Sequence, residues 1–106
     1  MRTLRFKVIG QKIYRDPSCD FRGIAAGTEN YLKCDFAFSS EWSGAVKVCD
    51  FSSDKVKSSP VKIINNTCMI PSEVLTEKEF RFYIAGKRGN LKLTTDQAIV
   101  QQEVQK

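Results

Sequence analysis

The chain has 106 residues, of which 42% are hydrophobic and 27% charged, which matches one globular domain over 1–106 and excludes a disordered or two-domain chain. Its 17 basic and 12 acidic side chains leave a net charge of +5, which favours acidic partners and is silent about fold. Histidine is absent, and with it go the commonest general base and the commonest metal ligand.

In chain order, Leu4, Phe6 and Val8 alternate with Thr3, Arg5 and Lys7, the two-residue period of a half-buried strand. Gly10 punctuates that strand, Ile13-Tyr14 continues the edge, and Asp16-Pro17 ends it. Ser18 to Gly27 reads as a loop with little to pack. Tyr31 to Phe38 gives the clearest strand, with Leu32, Cys34, Phe36 and Phe38 on one face. The stretch from Ser39 through Gly44 then turns Trp42 back onto the core, where a lone tryptophan serves as a plug.

Ala45 to Phe51 is rich in strand formers and is expected to pair across the Trp42 turn. Ser52 to Pro60 reads as an exposed hairpin, and Val61 to Ile64 as a further strand. Asn65-Asn66 signals a turn, since asparagine tolerates positive φ, and Thr67 to Ile70 returns as a short strand. Pro71 ahead of Ser72-Glu73-Val74-Leu75 suits one helical turn crossing between sheets. Glu79 to Ala85 alternates again, Gly86 to Asn90 reads as a hairpin loop, and a last strand runs from Leu91 to Val100. From about residue 101 the chain is polar and expected to fray. About seven or eight strands, with turn signals roughly every ten residues and at most one short helical turn, indicate an all-β two-sheet antiparallel sandwich.

Candidate chemistry is sparse. No run of about 18 apolar residues marks a membrane span, and the alternating N-terminus has no signal-peptide core, so the expected setting is cytoplasmic. Cys19, Cys34, Cys49 and Cys68 include no Cys-x-x-Cys pair, which argues against zinc. They read as structural thiols, with a bridge from Cys34 to Cys68 or Cys49 as the alternative in an oxidising setting. The carboxylates form no spaced motif and no glycine-rich phosphate cradle is present, so we expect no catalytic residue, cofactor or metal. The basic residues are scattered, which disfavours nucleic acid. What remains is surface: Arg5 and Lys7 on the first strand, and Lys87 and Arg88 on the last hairpin, as a candidate contact for an acidic partner.

The run Asn30-Tyr31-Leu32-Lys33-Cys34-Asp35-Phe36-Ala37-Phe38-Ser39-Ser40-Glu41-Trp42-Ser43-Gly44, with Lys47 and Phe51, is followed by Cys68-x-Ile70-Pro71-x-Glu73-Val74-Leu75. Later come Phe82-Tyr83-Ile84-Ala85-Gly86, Thr94-Thr95 and Ile99-Val100. Over residues 29–100 this pattern resembles the N-terminal domain of baseplate upper proteins and related tail-fibre proteins of phages and prophages of Firmicutes. The resemblance implies an immunoglobulin-like sandwich that attaches a receptor-binding or fibre element to a tail. It also implies that Trp42, Gly44, Ile70, Pro71 and Val74 carry the fold, beside the aromatic-strand residues Phe36 and Phe38. That family's domain begins a longer chain, whereas this sequence stops near the domain's end. The matching expectations are a virion decoration or adaptor, a small protein recruited to another task, or a fragment.

The leading functional expectation is therefore a non-enzymatic phage or prophage structural protein, tail- or baseplate-associated, that binds a tail component and self-associates. The alternative is a small phage-encoded inhibitor that binds and blocks a bacterial defence protein, as anti-CRISPR proteins do. The corresponding locations are the virion or the host cytoplasm.

Overall fold

The computed structural model describes residues 1–104. β1 (Arg2–Ile9) buries Leu4, Phe6 and Val8 and exposes Arg5, Lys7 and Ile9, as its alternation predicts. Gly10, at φ 58°, turns the chain into β2 (Lys12–Arg15), antiparallel to β1. β3 (Leu32–Phe38) lies on the other side of β1 and runs parallel to it, setting Leu4 beside Cys34 and Phe6 beside Phe36. β6 (Thr67–Met69) closes this first sheet, giving the order β2-β1-β3-β6.

The second sheet is built on β7 (Glu79–Arg88), the longest strand. β4 (Val46–Ser52) flanks one side of β7 and carries the two-residue β5 (Val61–Lys62) on its own far edge. On the other side of β7, β8 (Leu91–Thr94) pairs with its second half and β9 (Ala98–Gln101) with its first. The chain crosses between sheets after β3, after β5 and after β6, and turns within the second sheet at β4–β5 and β7–β8. This connectivity makes an all-β, two-sheet sandwich. Among the described residues it has nine strands and two 3-10 turns, Ser40–Trp42 and Ser72–Val74, one of each more than the upper sequence expectation, and the β1–β3 pair is parallel.

An aromatic interior joins the sheets. Phe82 of β7 sits 5.0 Å from Phe6 and 6.0 Å from Phe36 across the sandwich, and 5.4 Å from Phe51 within its own sheet. Edge-on packing of this kind stabilises beyond simple area burial. Trp42 plugs one end, fully buried, with its indole N–H donating to the Gly10 carbonyl at 2.8 Å. Phe36 is buried, Phe38 is half-buried between Trp42 and the Lys47 ammonium, and Pro71 leads into the second 3-10 turn. The Pro71 turn makes the sheet-to-sheet crossover expected of it, and Asn65 and Asn66 take positive φ.

Several local expectations are corrected. The 18–27 loop is packed: Ile24 is buried and Phe21 meets Phe6 edge-on at 5.3 Å, because this segment must cover the end of the core as it returns to the start of β3. β4 does not pair with β3; Trp42 turns the chain onto the opposite sheet. The 52–60 segment buries Ser53 and Ser58, and the Ser53 hydroxyl accepts the backbone N–H of Val56 at 3.2 Å. Gly86 is no loop residue. It lies inside β7, and the positive φ of the hairpin falls on Gly89. The last strand is split into β8 and β9. Residues 101–103 do not fray: Gln102 is buried, with its amide donating to the Glu77 carbonyl, and Glu103 bonds through its backbone to Ile24 and Ala26. The rest of the expected fraying tail, beyond 104, lies outside the described residues.

Candidate protein-contact face

The four basic residues chosen from the sequence do not form one patch. Arg5 and Lys7 point out from the first sheet, and Lys87 and Arg88 belong to the second, so the outward side chains of the two pairs face away from each other. Arg5 is matched across the strand by Asp35, its guanidinium 3.4 Å from the carboxylate. Arg88 turns inward at the strand end and donates to the carbonyls of Ser43 and Glu41. Neither Lys7 nor Lys87 has an ion pair among the described residues, and of these two it is Lys87 that lines a surface hollow.

The sheet register supplies Lys87 with different neighbours. One row across β4, β7 and β8 reads Val46, Lys87, Lys92, and the next across β5, β4, β7 and β8 reads Lys62, Val48, Ala85, Thr94. Because side chains alternate, these rows point outward while Cys49, Phe51 and Ile84 point into the core. Val46 is 60% exposed. Together Val46, Val48 and Ala85 floor a shallow hollow of about 510 Å³, with Lys87 and Lys92 on its wall. Lys62 stands beside Val48 at the strand edge.

Charge distinguishes this hollow from the one on the opposite sheet and from the lower half of its own face. Lys87 and Lys92 are directly opposed across an antiparallel pair, an arrangement that destabilises a sheet. Among the described residues, neither they nor Lys62 has a carboxylate within ion-pairing distance. A smaller hollow of about 300 Å³ on the opposite sheet has Arg5 and Asp35 already paired on its wall. Lower on the same face as Lys87, Arg81 pairs with Asp54 and with Glu79 at 3.4 Å, and the Tyr83 hydroxyl donates to Asp50 at 3.0 Å. The Arg81 hydrogen bond and charge hold the Asp54 carboxyl below its ordinary value, and the Asp50 carboxylate raises the Tyr83 phenol. An apolar floor under unmatched lysines can hold an acidic surface that presents an apolar side chain.

No family model, curated protein or solved structure matches the chain. The face therefore has to be read from its own chemistry. Sequence reasoning missed Val46, Val48, Lys62, Ala85 and Lys92. A signal was present for Val46 and Val48, whose positions are out of phase with Cys49 and Phe51 in the same strand. The alternation of Leu91, Lys92 and Leu93 likewise sets Lys92 outward.

Proposed function

We propose that the chain is a non-catalytic protein-binding module of a phage or prophage tail or baseplate, and that it engages an acidic protein surface through the face of β4, β7 and β8. One observation carries this reading: Lys87 and Lys92 are held against each other beside the exposed Val46, at a cost to the sheet, with no ion-pairing carboxylate among the described residues to relieve them. An acidic partner relieves that repulsion and covers Val46 and Val48 at once, and complementary charge also speeds association.

The occupant is a different chain and not a second copy. A two-fold contact through this face would set lysines against lysines. Nucleic acid is the poorer fit, because the exposed aromatics Tyr14 and Tyr31 lie on β2 and on the loop before β3, away from the lysines. The resemblance to baseplate and tail-fibre domains supplies the setting.

Mass spectrometry of purified virions tests the reading. The chain is expected in particles, and the double variant Lys87→Glu with Lys92→Glu is expected to fold yet be missing from them. Absence of the unaltered chain from particles, with early expression and capture of a host protein through the same lysines, assigns the face to inhibition of a bacterial defence protein instead.

A further inference from the structure

Three of the four cysteines gather in the core, and the contact face makes no use of them. Cys34 on β3 and Cys68 on β6 are direct cross-strand partners. The flanking bonds, Ile70 N–H to the Leu32 carbonyl at 3.1 Å and Phe36 N–H to the Asn66 carbonyl at 2.8 Å, set Cys34 and Cys68 in phase at a hydrogen-bonded position of the ladder. Cα atoms at such a position lie about 5.5 Å apart, inside the range of about 4.4–6.8 Å that a disulfide spans. Cys49 reaches the same point from β4 on the facing sheet, so the thiols of Cys34 and Cys49 both lie beside Cys68. Cys34 is the residue in register with Cys68 on the neighbouring strand, whereas Cys49 approaches from the facing sheet outside any strand pairing with β6, so Cys34 is the partner the ladder selects. Among the described residues, no group of cysteines and carboxylates could hold a metal ion.

The three thiols differ in access and in ease of ionisation. Burial pushes Cys34 and Cys49 well above the ordinary thiol value. Cys68 moves the other way, because the adjoining Cys34 and Cys49 thiols favour its thiolate. It also sits on an edge strand, where the gap between β5 and β6 leaves a shallow hollow lined by Lys33, Lys62, Ile64, Met69 and Cys68 itself. A reagent entering at this edge meets Cys68 first.

We propose that Cys68 and Cys34 form a reversible thiol–disulfide exchange site that reacts with small disulfides such as glutathione disulfide. The Cys68 thiolate attacks one glutathione sulfur, the glutathione S–S bond breaks, and the first glutathione leaves with the proton that Cys68 gave up. Cys34 then attacks the Cys68 sulfur, a Cys34–Cys68 bond forms, and the second glutathione leaves with the Cys34 proton. Two protein thiols are oxidised to one disulfide while glutathione disulfide is reduced to two thiols, and Cys49 stays reduced. Side chains at a hydrogen-bonded ladder position stand slightly wider than a relaxed bridge prefers, so the bond is returned easily by excess thiol. Its formation ties the three-residue edge strand β6 covalently to β3. The site shares only Lys62 with the lysine face and uses neither Lys87 nor Lys92.

The folded chain is incubated with glutathione disulfide well below its melting temperature, its free thiols are alkylated, and its non-reduced peptides are mapped by mass spectrometry. The expected product is a Cys34–Cys68 linked peptide that disappears with excess glutathione, persists in Cys49→Ser and Cys19→Ser, and is lost in Cys68→Ser. The unaltered chain alone decides the matter if Cys68→Ser fails to fold. A chain that stays fully reduced, a glutathione adduct confined to Cys19, a bridge to Cys49, or a mixture of all pairings would each overturn the proposal.

Discussion

The two halves of β7 make opposite use of the same strand. Along the first half every outward side chain has a partner: Glu79 and Arg81 in an ion-pair network with Asp54, Tyr83 on Asp50. Along the second half Ala85 and Lys87 face outward beside Val46 and Lys92, and nothing in the described chain satisfies them. The inward faces of both halves are equally buried, through Phe80, Phe82, Ile84 and Gly86. The contrast therefore lies in the outer layer alone, where the saturated half supports the fold and the unsaturated half is left for a partner.

The comparison is broken most severely from the inside. Trp42 holds the second half of β7 in place, since its ring lies against Gly86, where an added Cβ would come within 2.8 Å of the indole. Trp42→Ala should cost about 3–5 kcal/mol through lost burial and the cavity left behind. Gly86→Ala should cost about 1–3 kcal/mol, because the indole must shift to admit one methyl group. Denaturant unfolding measures both. A Trp42→Ala midpoint equal to the parent's would show that the plug does not hold the two sheets together.

Gly86 also shows where sequence reasoning stopped. A glycine after an alternating run, followed three residues later by another, reads as a turn; here its missing side chain makes room for Trp42, a contact 44 residues away in the chain. Alternation gave the buried faces of β1, β3 and β7 correctly, because period-two burial is a local property. It could not give partners. β3 and β4 follow one another through a tight turn yet lie in opposite sheets, and β1 runs parallel to β3 because the 16–31 loop carries the chain back to where β1 began. The contact face failed for the same reason. Lys87 and Arg88 are adjacent in sequence, but one side chain faces solvent and the other caps the Ser43 carbonyl. Lys62 and Lys92, 30 residues apart, belong to the same surface.

A milder change sharpens the contrast by making the second half resemble the first. Lys92→Glu places a carboxylate directly opposite Lys87, so stability should rise by a few tenths of a kcal/mol while the acidic partner's association slows about tenfold at low salt. Stability and binding are thus expected to move in opposite directions. Lys7→Glu, on the far sheet, should leave binding unchanged. Thermal melting and stopped-flow association against the captured partner read the two effects separately. If Lys92→Glu leaves the association rate intact at low salt, the partner does not sit on this face.

The smallest effect is expected in the saturated half, at Asp54. Its carboxyl is held below the ordinary 3.8, first by the Arg81 hydrogen bond and then by the Arg81 charge, while Lys78 adds a weaker pull. A carboxyl depressed in the folded state contributes stability above its unfolded value, and that contribution is lost as pH falls through the folded one. Asp54→Asn should therefore melt slightly below the parent at neutral pH, and the two curves should converge as the pH drops from about 4 towards about 2. Arg81 retains Glu79 in the variant, which keeps the loss small. A difference between the two chains that is constant over the whole acid range would place the effect of Asp54 in its local backbone contacts, leaving Glu79 as the carboxylate that matters to Arg81.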